Sequence, residues 1–261
     1  MKVFVTGASG VIGTHLMDLL ASRGDLEATS LAGDIRDRQS VAKQIEQAGV
    51  LDAVVHLAAL VPVQEVEKSP ADAYAVNVGG TLNLMAALAA QARRPHVLYA
   101  STCHVYAPSM NPISEDDLVA PRNLYATTKH MGEEIVRDLG TRMGFPVCLA
   151  RIFSFYDESQ APGYLYPAIR QRLAAEDLTQ PFPLRGADST RDLSTARQIS
   201  ENLLHLLLRQ ATGVINVGSG TGTRIGDFVQ GLCDVPLEIV PLGEPDSLVA
   251  NTRRLRELLD E

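Results

Sequence analysis

Basic residues are in the minority. Lys and Arg number 23 against 31 Asp and Glu, which leaves a formal net charge of −8. A chain without a basic face lacks what a general nucleic-acid binder needs. No apolar run approaches the roughly 20 residues of a membrane span, and the first strand pattern begins at Lys2, leaving no room for the basic and apolar parts of a secretion leader. A soluble, cytoplasmic protein with no membrane partner is the expectation. There are three cysteines, Cys103, Cys148 and Cys233, far apart and with no CxxC. That spacing excludes a disulfide framework and a cysteine zinc site, so free thiols and no metal are expected. Internal repeats, low-complexity tracts and charged tails are also missing. What is present is 46% hydrophobic and 21% charged residues over 261 positions. This is the composition of a globular chain able to bury a sizeable core, as one large domain or one domain with a small lobe.

Lys2 to Thr6 is a short β-branched and aromatic run, and Val11 to Ser22 carries apolar residues at helical spacing with Gly24 as a stop. The alternation repeats. Strand patterns lie at Leu26 to Leu31, Ala53 to Leu57, His96 to Ala100 and Val147 to Phe153, with helical patterns at Val41 to Ala48, Ala71 to Ala90 and Tyr125 to Met143. Strands alternating with helices predict an α/β fold, a doubly wound parallel sheet of the Rossmann type. Beyond Phe153 the pattern loosens into Pro- and Gly-bearing segments with helical stretches at Tyr166 to Ala175, Thr195 to Arg209 and Ile225 to Leu232. The expected division is a dinucleotide-binding domain over 1–153 and a smaller substrate lobe over 154–261, with some chain returning to the main domain.

The string TGASGVIG places Gly7, Gly10 and Gly13 between the first strand and the first helix. Glycines there let backbone N–H groups approach a pyrophosphate, and the helix dipole favours its charge. A glycine trio alone also suits an ordinary tight turn, but its place between a strand and an amphipathic helix points to a dinucleotide. The acidic residue that usually takes the ribose hydroxyls at the end of the second strand is missing: Thr29, Ser30 and Leu31 stand there. NAD and NADP therefore both remain open. Asp34 could accept from the adenine amine, and Arg36 is the nearby base for a 2′-phosphate, although it reads equally as a solvated surface charge.

Tyr125 and Lys129 stand four apart in YATTK, so both project from one face of a helix. A neighbouring ammonium stabilises phenolate, which would make Tyr125 a proton donor or acceptor near neutrality. Two exposed helix residues would show the same spacing. About two dozen residues earlier Ser101 and Thr102 close a buried-strand pattern, placing hydroxyls at the carboxyl end of a strand, where open α/β sheets bind ligands.

TGxxGxxG, GDIRD, VVHLAA, NVGGT, a Thr four before the Tyr of VY, YxxxK, TRD and NVGSG follow one another nearly end to end. In this order they resemble the extended short-chain dehydrogenase/reductases, the group of nucleotide-sugar epimerases, dehydratases and reductases. The resemblance implies a catalytic trio of Thr102, Tyr125 and Lys129: Tyr125 as acid/base, Lys129 tuning it and holding ribose, Thr102 orienting the substrate oxygen. It further implies that Gly7, Ser9, Gly10, Val11, Ile12, Asp34, Ile35, Leu57, Ala58, Ala59 and Asn77 line NAD or NADP together with Tyr125 and Lys129. Phe153 would lie near the nicotinamide, and Arg191 would clamp the substrate diphosphate, for which a planar guanidinium is suited. Pairing of two copies through the helices Ala71 to Ala90 and Tyr125 to Met143 is implied too.

Departures from the family pattern narrow the chemistry. Dehydratases carry an Asp-Glu pair directly after the catalytic Thr, whereas Cys103 and His104 occupy those places here. A thiol and an imidazole are not a carboxylate pair, so elimination of water is disfavoured. His104 could still act as an auxiliary acid/base or rest as a hydrogen-bonded loop histidine. Cys103 more often packs than reacts. Ser154 stands where an Asn usually touches the sugar phosphate, and Asn251 where an Asp is common. The short second-strand region is similar to that of 4-keto sugar reductases. The expected activity is reduction of a 4-keto nucleotide-diphosphate sugar, with 4-epimerisation as the alternative. Reduction of a non-sugar ketone and a non-catalytic dinucleotide sensor are the more distant readings.

Overall fold

Short runs of Val, Leu, Ile and Ala pair as a central sheet because each can be covered on both faces, which is the condition for parallel strands. The computed structural model describes residues 1–61 and 63–259; residues 260–261, the end of the expected lobe, lie outside them. In chain order the first part comprises β1 (Lys2–Thr6), α1 (Val11–Ala21), β2 (Glu27–Ser30), α2 (Arg38–Ala48), β3 (Ala53–His56), α3 (Val63–Lys68), α4 (Pro70–Tyr74), α5 (Thr81–Ala89), β4 (His96–Thr102), α6 (Leu124–Met143) and β5 (Val147–Ile152). The remainder comprises β6 (Phe155–Tyr156), α7 (Leu165–Ala175), β7 (Phe182–Arg185), β8 (Thr190–Asp192), β9 (Ser194–Thr195), α8 (Ala196–Leu208), β10 (Gly213–Val217), β11 (Gly222–Arg224), α9 (Ile225–Gln230), β12 (Ile239–Leu242), β13 (Ser247–Leu248) and α10 (Arg253–Leu259).

Six strands form one sheet in the order β10-β5-β4-β3-β1-β2, every neighbouring pair parallel. This is the α/β architecture that the alternating sequence pattern predicts. The pleat sorts side chains between two cores. Val3, Val5, Leu98 and Ala150 join Leu16 and Leu203 of α1 and α8 on one face. Phe4, Val54, Tyr99 and Leu149 join residues of α2, α5 and α6 on the other. The order reverses at β1, whose neighbours β2 and β3 lie on opposite sides, and a ligand crevice opens at such a switch point beyond the carboxyl ends of the strands.

Several element bounds differ from the sequence reading, three of them as follows. The single helix expected over Ala71 to Ala90 is interrupted: between α4 and α5 the residues Ala75–Gly80 form a π-type turn. Its cause is local packing. Asn77 is tied to the backbone of Leu60, and Gly80 lies so close to Ile35 that a Cβ there would be 2.5 Å from Cγ2 of that side chain. The second strand shortens to Glu27–Ser30, an edge with polar, half-exposed residues. The strand expected to reach Phe153 stops at Ile152.

Past β5 the chain leaves the sheet, comes back as α8 and β10, and leaves again. β10 pairs with β5 from Gly213 opposite Cys148 to Val217 opposite Ile152. Thr195 starts α8 with a reciprocal capping box, its hydroxyl accepting from the Gln198 N–H while the Gln198 side chain accepts from the Thr195 N–H. Outside the sheet, β7 and β12 form a small sheet by a cluster of Ile169, Phe182, Leu184 and Val229, and β11-β8-β13 form another, whose Leu248 packs with Cys103, Tyr106 and Phe153. No described helix is long and apolar enough to cross a membrane.

Candidate active site

The phosphate cradle follows from backbone geometry. Gly7 has φ +73°, and a Cβ there would lie 2.6 Å from the Ala58 nitrogen; a Cβ at Gly13 would overlap the Gly7 carbonyl oxygen. Only glycine allows this strand, turn and helix to pack so closely. Gly10 caps α1 with no side-chain hydrogen bond, and the first turn holds no acidic residue. The positive end of an eleven-residue helix therefore faces the switch point next to the exposed Ser9 and Gly10. Val11 and Ile12 follow, half-buried, and Leu57, Ala58 and Ala59 line the neighbouring strand end, also half-buried. A groove that side chains would fill, beside a free helix N-terminus, fits a dinucleotide pyrophosphate.

The residues beyond β2 are arranged differently from the simplest reading. Asp34 and Arg36 grip each other, with Arg36 Nε 2.8 Å and Nη2 2.6 Å from one Asp34 oxygen. Arg36 also donates to Asp72 at 2.7 Å. The hydrogen bond from Arg36 holds Asp34 below its ordinary carboxylate range. Both are exposed, so Arg36 is a solvated charge already balanced by two carboxylates. Ile35 is buried against the second core. Asn77 is 1% exposed. Its side chain accepts from Leu60 N at 2.7 Å and donates to Leu60 O at 3.0 Å and Thr128 Oγ1 at 2.9 Å. These bonds clamp the strand-end loop onto α6. The Phe153 ring is buried against Tyr106 in a third core cluster.

Thr102 ends β4 and Tyr125 lies in the first turn of α6, and the Thr102 hydroxyl is near enough to the Tyr125 phenol to favour its ionised form. Thr102 Oγ1 also accepts from His104 N at 3.2 Å, opening a short 3₁₀ turn over Cys103–Val105. Asn123 caps α6 by accepting from Ala126 N at 2.8 Å, which fixes where the helix begins and so where Tyr125 points. Burial raises Tyr125 well above an ordinary phenol, with the Thr102 hydroxyl opposing it. The direct Lys129 pull expected from the YxxxK spacing is not what dominates. The Lys129 amine is 4.2 Å from the centre of the Tyr99 ring, and burial lowers it to about 7, with Glu133 raising it. A lysine poised there can exchange a proton near neutrality.

Around this pair, His104 stacks edge-on to Tyr125 at 6.4 Å and is held below its usual range by burial first and by Arg191 second, so it stays neutral. Cys103 is buried and pushed up to about 12, a packed thiol. Arg191 arrives from β8, with Nη2 2.6 Å from Asp246 Oδ1 and Nη1 donating to the Thr190 and Asp246 carbonyls. Ser154 is half-buried, its carbonyl accepting from Ser194 N. His56 lies beneath the strand ends between Thr6 and Thr81 hydroxyls at 2.7 and 2.9 Å, and burial lowers it to about 3. No cluster of His, Cys, Asp or Glu suited to a metal occurs among the described residues.

Two buried residues escaped the sequence reading. Tyr99 forms the floor under Lys129, and Glu133 lies one turn beyond Lys129 on α6, in a fully buried ion pair with Arg151 of β5. The i, i+4 step from Lys129 and an arginine inside an apolar strand were the available signals.

Comparison with known proteins places this geometry. The model of the NAD dependent epimerase/dehydratase family matches residues 3–218. The chain is similar to a GDP-6-deoxy-D-mannose reductase from Pseudomonas aeruginosa, 30% identical over 92% of this chain and 82% of that protein. It is also similar to a UDP-glucose 4-epimerase from Azospirillum brasilense, 29% identical over 99% and 86%. Among solved structures, RMD from Pseudomonas aeruginosa complexed with NADPH superposes with a TM-score of 0.87 and 28% identity, covering 98% of this chain and 91% of that one. With the glycine cradle, the hydroxyl pair and Lys129 on the sheet's carboxyl edge, the chain belongs to the NAD-dependent epimerase/dehydratase family and is an NAD(P)-dependent enzyme of the extended short-chain dehydrogenase/reductase type.

Proposed function

We propose that the protein reduces the 4-keto group of a nucleotide-diphosphate sugar, with Thr102, Tyr125 and Lys129 as its catalytic residues. The observation that carries this reading is the Thr102–Tyr125 hydroxyl pair at the carboxyl end of β4, next to a lysine lowered to about 7. When bound, the nicotinamide supplies the hydride. Thr102 and Tyr125 orient the carbonyl oxygen; Tyr125 gives it a proton, and Lys129 makes good that proton from its ammonium form. Buried, raised Tyr125 remains protonated until the oxygen acquires charge, which suits the donor role. Gly7, Ser9, Gly10, Val11 and Ile12 would hold the pyrophosphate, and Leu57 to Ala59 the adjoining ribose. Arg191 would exchange Asp246 for the substrate diphosphate, with Ser154 near the sugar.

Several features favour reduction. The GDP-6-deoxy-D-mannose reductase is 30% identical over 92% of the chain, the RMD structure holds NADPH, and Cys103 and His104 supply no carboxylate for dehydration. The alternative, 4-epimerisation, draws support from the UDP-glucose 4-epimerase that aligns over 99% of the chain. We further read the segment beyond 153, apart from the returning α8, β10 and α10, as the substrate half. A homodimer through α5 and α6 accords with exposed Leu82 (49%) and Met131 (40%) on those helices. A cytoplasmic setting accords with three free cysteines.

Chromatography of the nucleotides released on denaturing the purified protein tests the assignment, coupled to NADPH and NADH oxidation with a nucleoside-diphosphate 4-keto-6-deoxy sugar. An empty protein that consumes reduced cofactor supports the reductase. Retained stoichiometric NAD with interconversion of UDP-glucose and no net oxidation supports the epimerase, and neither activity with either cofactor overturns both.

A further inference from the structure

Tyr99 and Ser101 stand two apart on β4, and a strand presents such residues on one face. Both reach α6. The Tyr99 hydroxyl donates to the Lys129 carbonyl at 3.2 Å, and Ser101 Oγ donates to Glu133 Oε1 at 2.5 Å. A side chain larger than hydrogen at Gly132 would overlap the Tyr99 hydroxyl, so the helix lies close against this strand face. The next β4 residue, Thr102, lies near the Tyr125 phenol. Tyr125, Lys129 and Glu133 are successive i, i+4 positions on α6.

Glu133 is the charged end of this row. It is 0% exposed, accepts from Arg151 Nε at 2.9 Å and Nη2 at 2.7 Å, and has His130 Nδ1 and Arg137 Nη2 at 3.6 and 3.8 Å. Burial penalises its charge, but Arg151 and Ser101 outweigh that and hold it ionised, below the ordinary carboxylate range. A buried ion pair is a poor investment for stability alone, since an apolar pair of similar volume often does as well. Its position directly beneath the catalytic row gives it another use.

We propose that Glu133 is a positioning residue for the reaction: its carboxylate, held by Ser101 and Arg151, fixes α6 against the strand end that carries Thr102 and sets a fixed negative charge one helical turn from Lys129. The inference rests on Lys129 acting as the proton partner of Tyr125. The groups facing Lys129 are Tyr99 of β4, His56 of β3 and Glu133 of α6, with Tyr125 one turn earlier on the same helix. Tyr99 is raised well above its ordinary value by burial, His56 is lowered to about 3 and Tyr125 is raised, so all three stay neutral between pH 5 and 9. Glu133 is the remaining charge, and it raises Lys129. Removing it lowers Lys129, which then loses its proton at lower pH.

The test uses the full-length protein without cofactor and NMR titration of the lysine ¹³Cε signals. The chain has four lysines, so Lys129→Met identifies the Lys129 signal directly. In Glu133→Gln the Lys129 midpoint is expected to fall by about one pH unit. The descending limb of the kcat–pH profile should move equally, costing about tenfold in kcat above the limb while KM changes little. Glu133→Asp should recover part of both. Glu133→Gln leaves Arg151 buried without its counter-charge, so Glu133→Gln/Arg151→Gln is compared with Arg151→Gln alone, a pair that differs only in the Glu133 charge, and the Lys129 midpoint should be lower in the double variant. A folded double variant whose Lys129 midpoint and kcat–pH limb match those of Arg151→Gln overturns the inference. Lys129→Met retaining full turnover would instead overturn the catalytic reading on which it rests, whatever the titration shows.

Discussion

The two sides of the active-site cleft each hold an arginine against a carboxylate, but in opposite settings. On the sheet side Arg151 and Glu133 have side chains 3% and 0% exposed, and the carboxylate is gripped at both oxygens. On the lobe side Arg191 and Asp246 are 18% and 38% exposed, joined through one oxygen at 2.6 Å. A pair sealed in low dielectric cannot exchange partners without leaving a charge stranded, whereas a half-exposed pair can be replaced by another anion or by water. Under the proposed function the sheet side would stay fixed during turnover, and the lobe side would trade its carboxylate for a phosphate.

Five substitutions probe that contrast. Tyr125→Phe removes the proton donor from the fixed side and should lower kcat by about 10² to 10⁴-fold, with an unchanged melting temperature. Steady-state kinetics beside calorimetry read both, and retention of most of the turnover would place the chemistry elsewhere. Arg151→Met strands Glu133 and should cost about 3–5 kcal/mol, seen as a fall in Tm on the order of 10 °C. A stable variant would show the buried pair to be dispensable. Arg191→Ala should raise KM for a nucleotide sugar by about ten- to a hundredfold, the loss of a charge-assisted bond worth roughly 1.5–3 kcal/mol, with little change in Tm. Arg191→Lys should restore only part, since an ammonium cannot present two parallel donors.

Asp246→Asn should have the smallest effect, lowering KM by about two- to fivefold, because a charge-assisted bond to the competing carboxylate gives way to a weaker neutral one. Burial opposes the Asp246 charge, but the hydrogen bond and charge of Arg191 carry it below its ordinary range. The stabilisation that this pair lends is present above the unfolded carboxylate pKa and is lost as pH falls through the lower folded value. KM measured from pH 6 to 8 should therefore show no contribution from the latch titrating, and a KM step within that range would contradict the assignment.

Much of the sheet side was legible because its signals are local. The glycine string, the helix-spaced Tyr125 and Lys129, and the strand-end Thr102 all depend on neighbours within a few residues, where backbone sterics and helical periodicity decide the outcome. The π-type turn at Ala75–Gly80 was not legible, because it answers to Leu60 and Ile35, which come from other parts of the chain. Arg36 offered itself for a phosphate on spacing alone, yet Asp72, brought near by α4, already takes one of its donors. Glu133 shows the limit most clearly. Its spacing from Lys129 was visible, but its partners Ser101 and Arg151 are set by the order of β4 and β5 in the sheet.

The return of the chain as β10 makes the intervening residues an insertion rather than an appendage. Between Ile152 and Gly213 the polypeptide is anchored at two adjacent strands of one sheet, and β8, which carries Arg191, is further paired with β11 and β13 from beyond β10. A fragment ending at 153 would lose not only the lobe but the partner strand of β5 and the helix covering one sheet face, and it would present a raw edge to other chains.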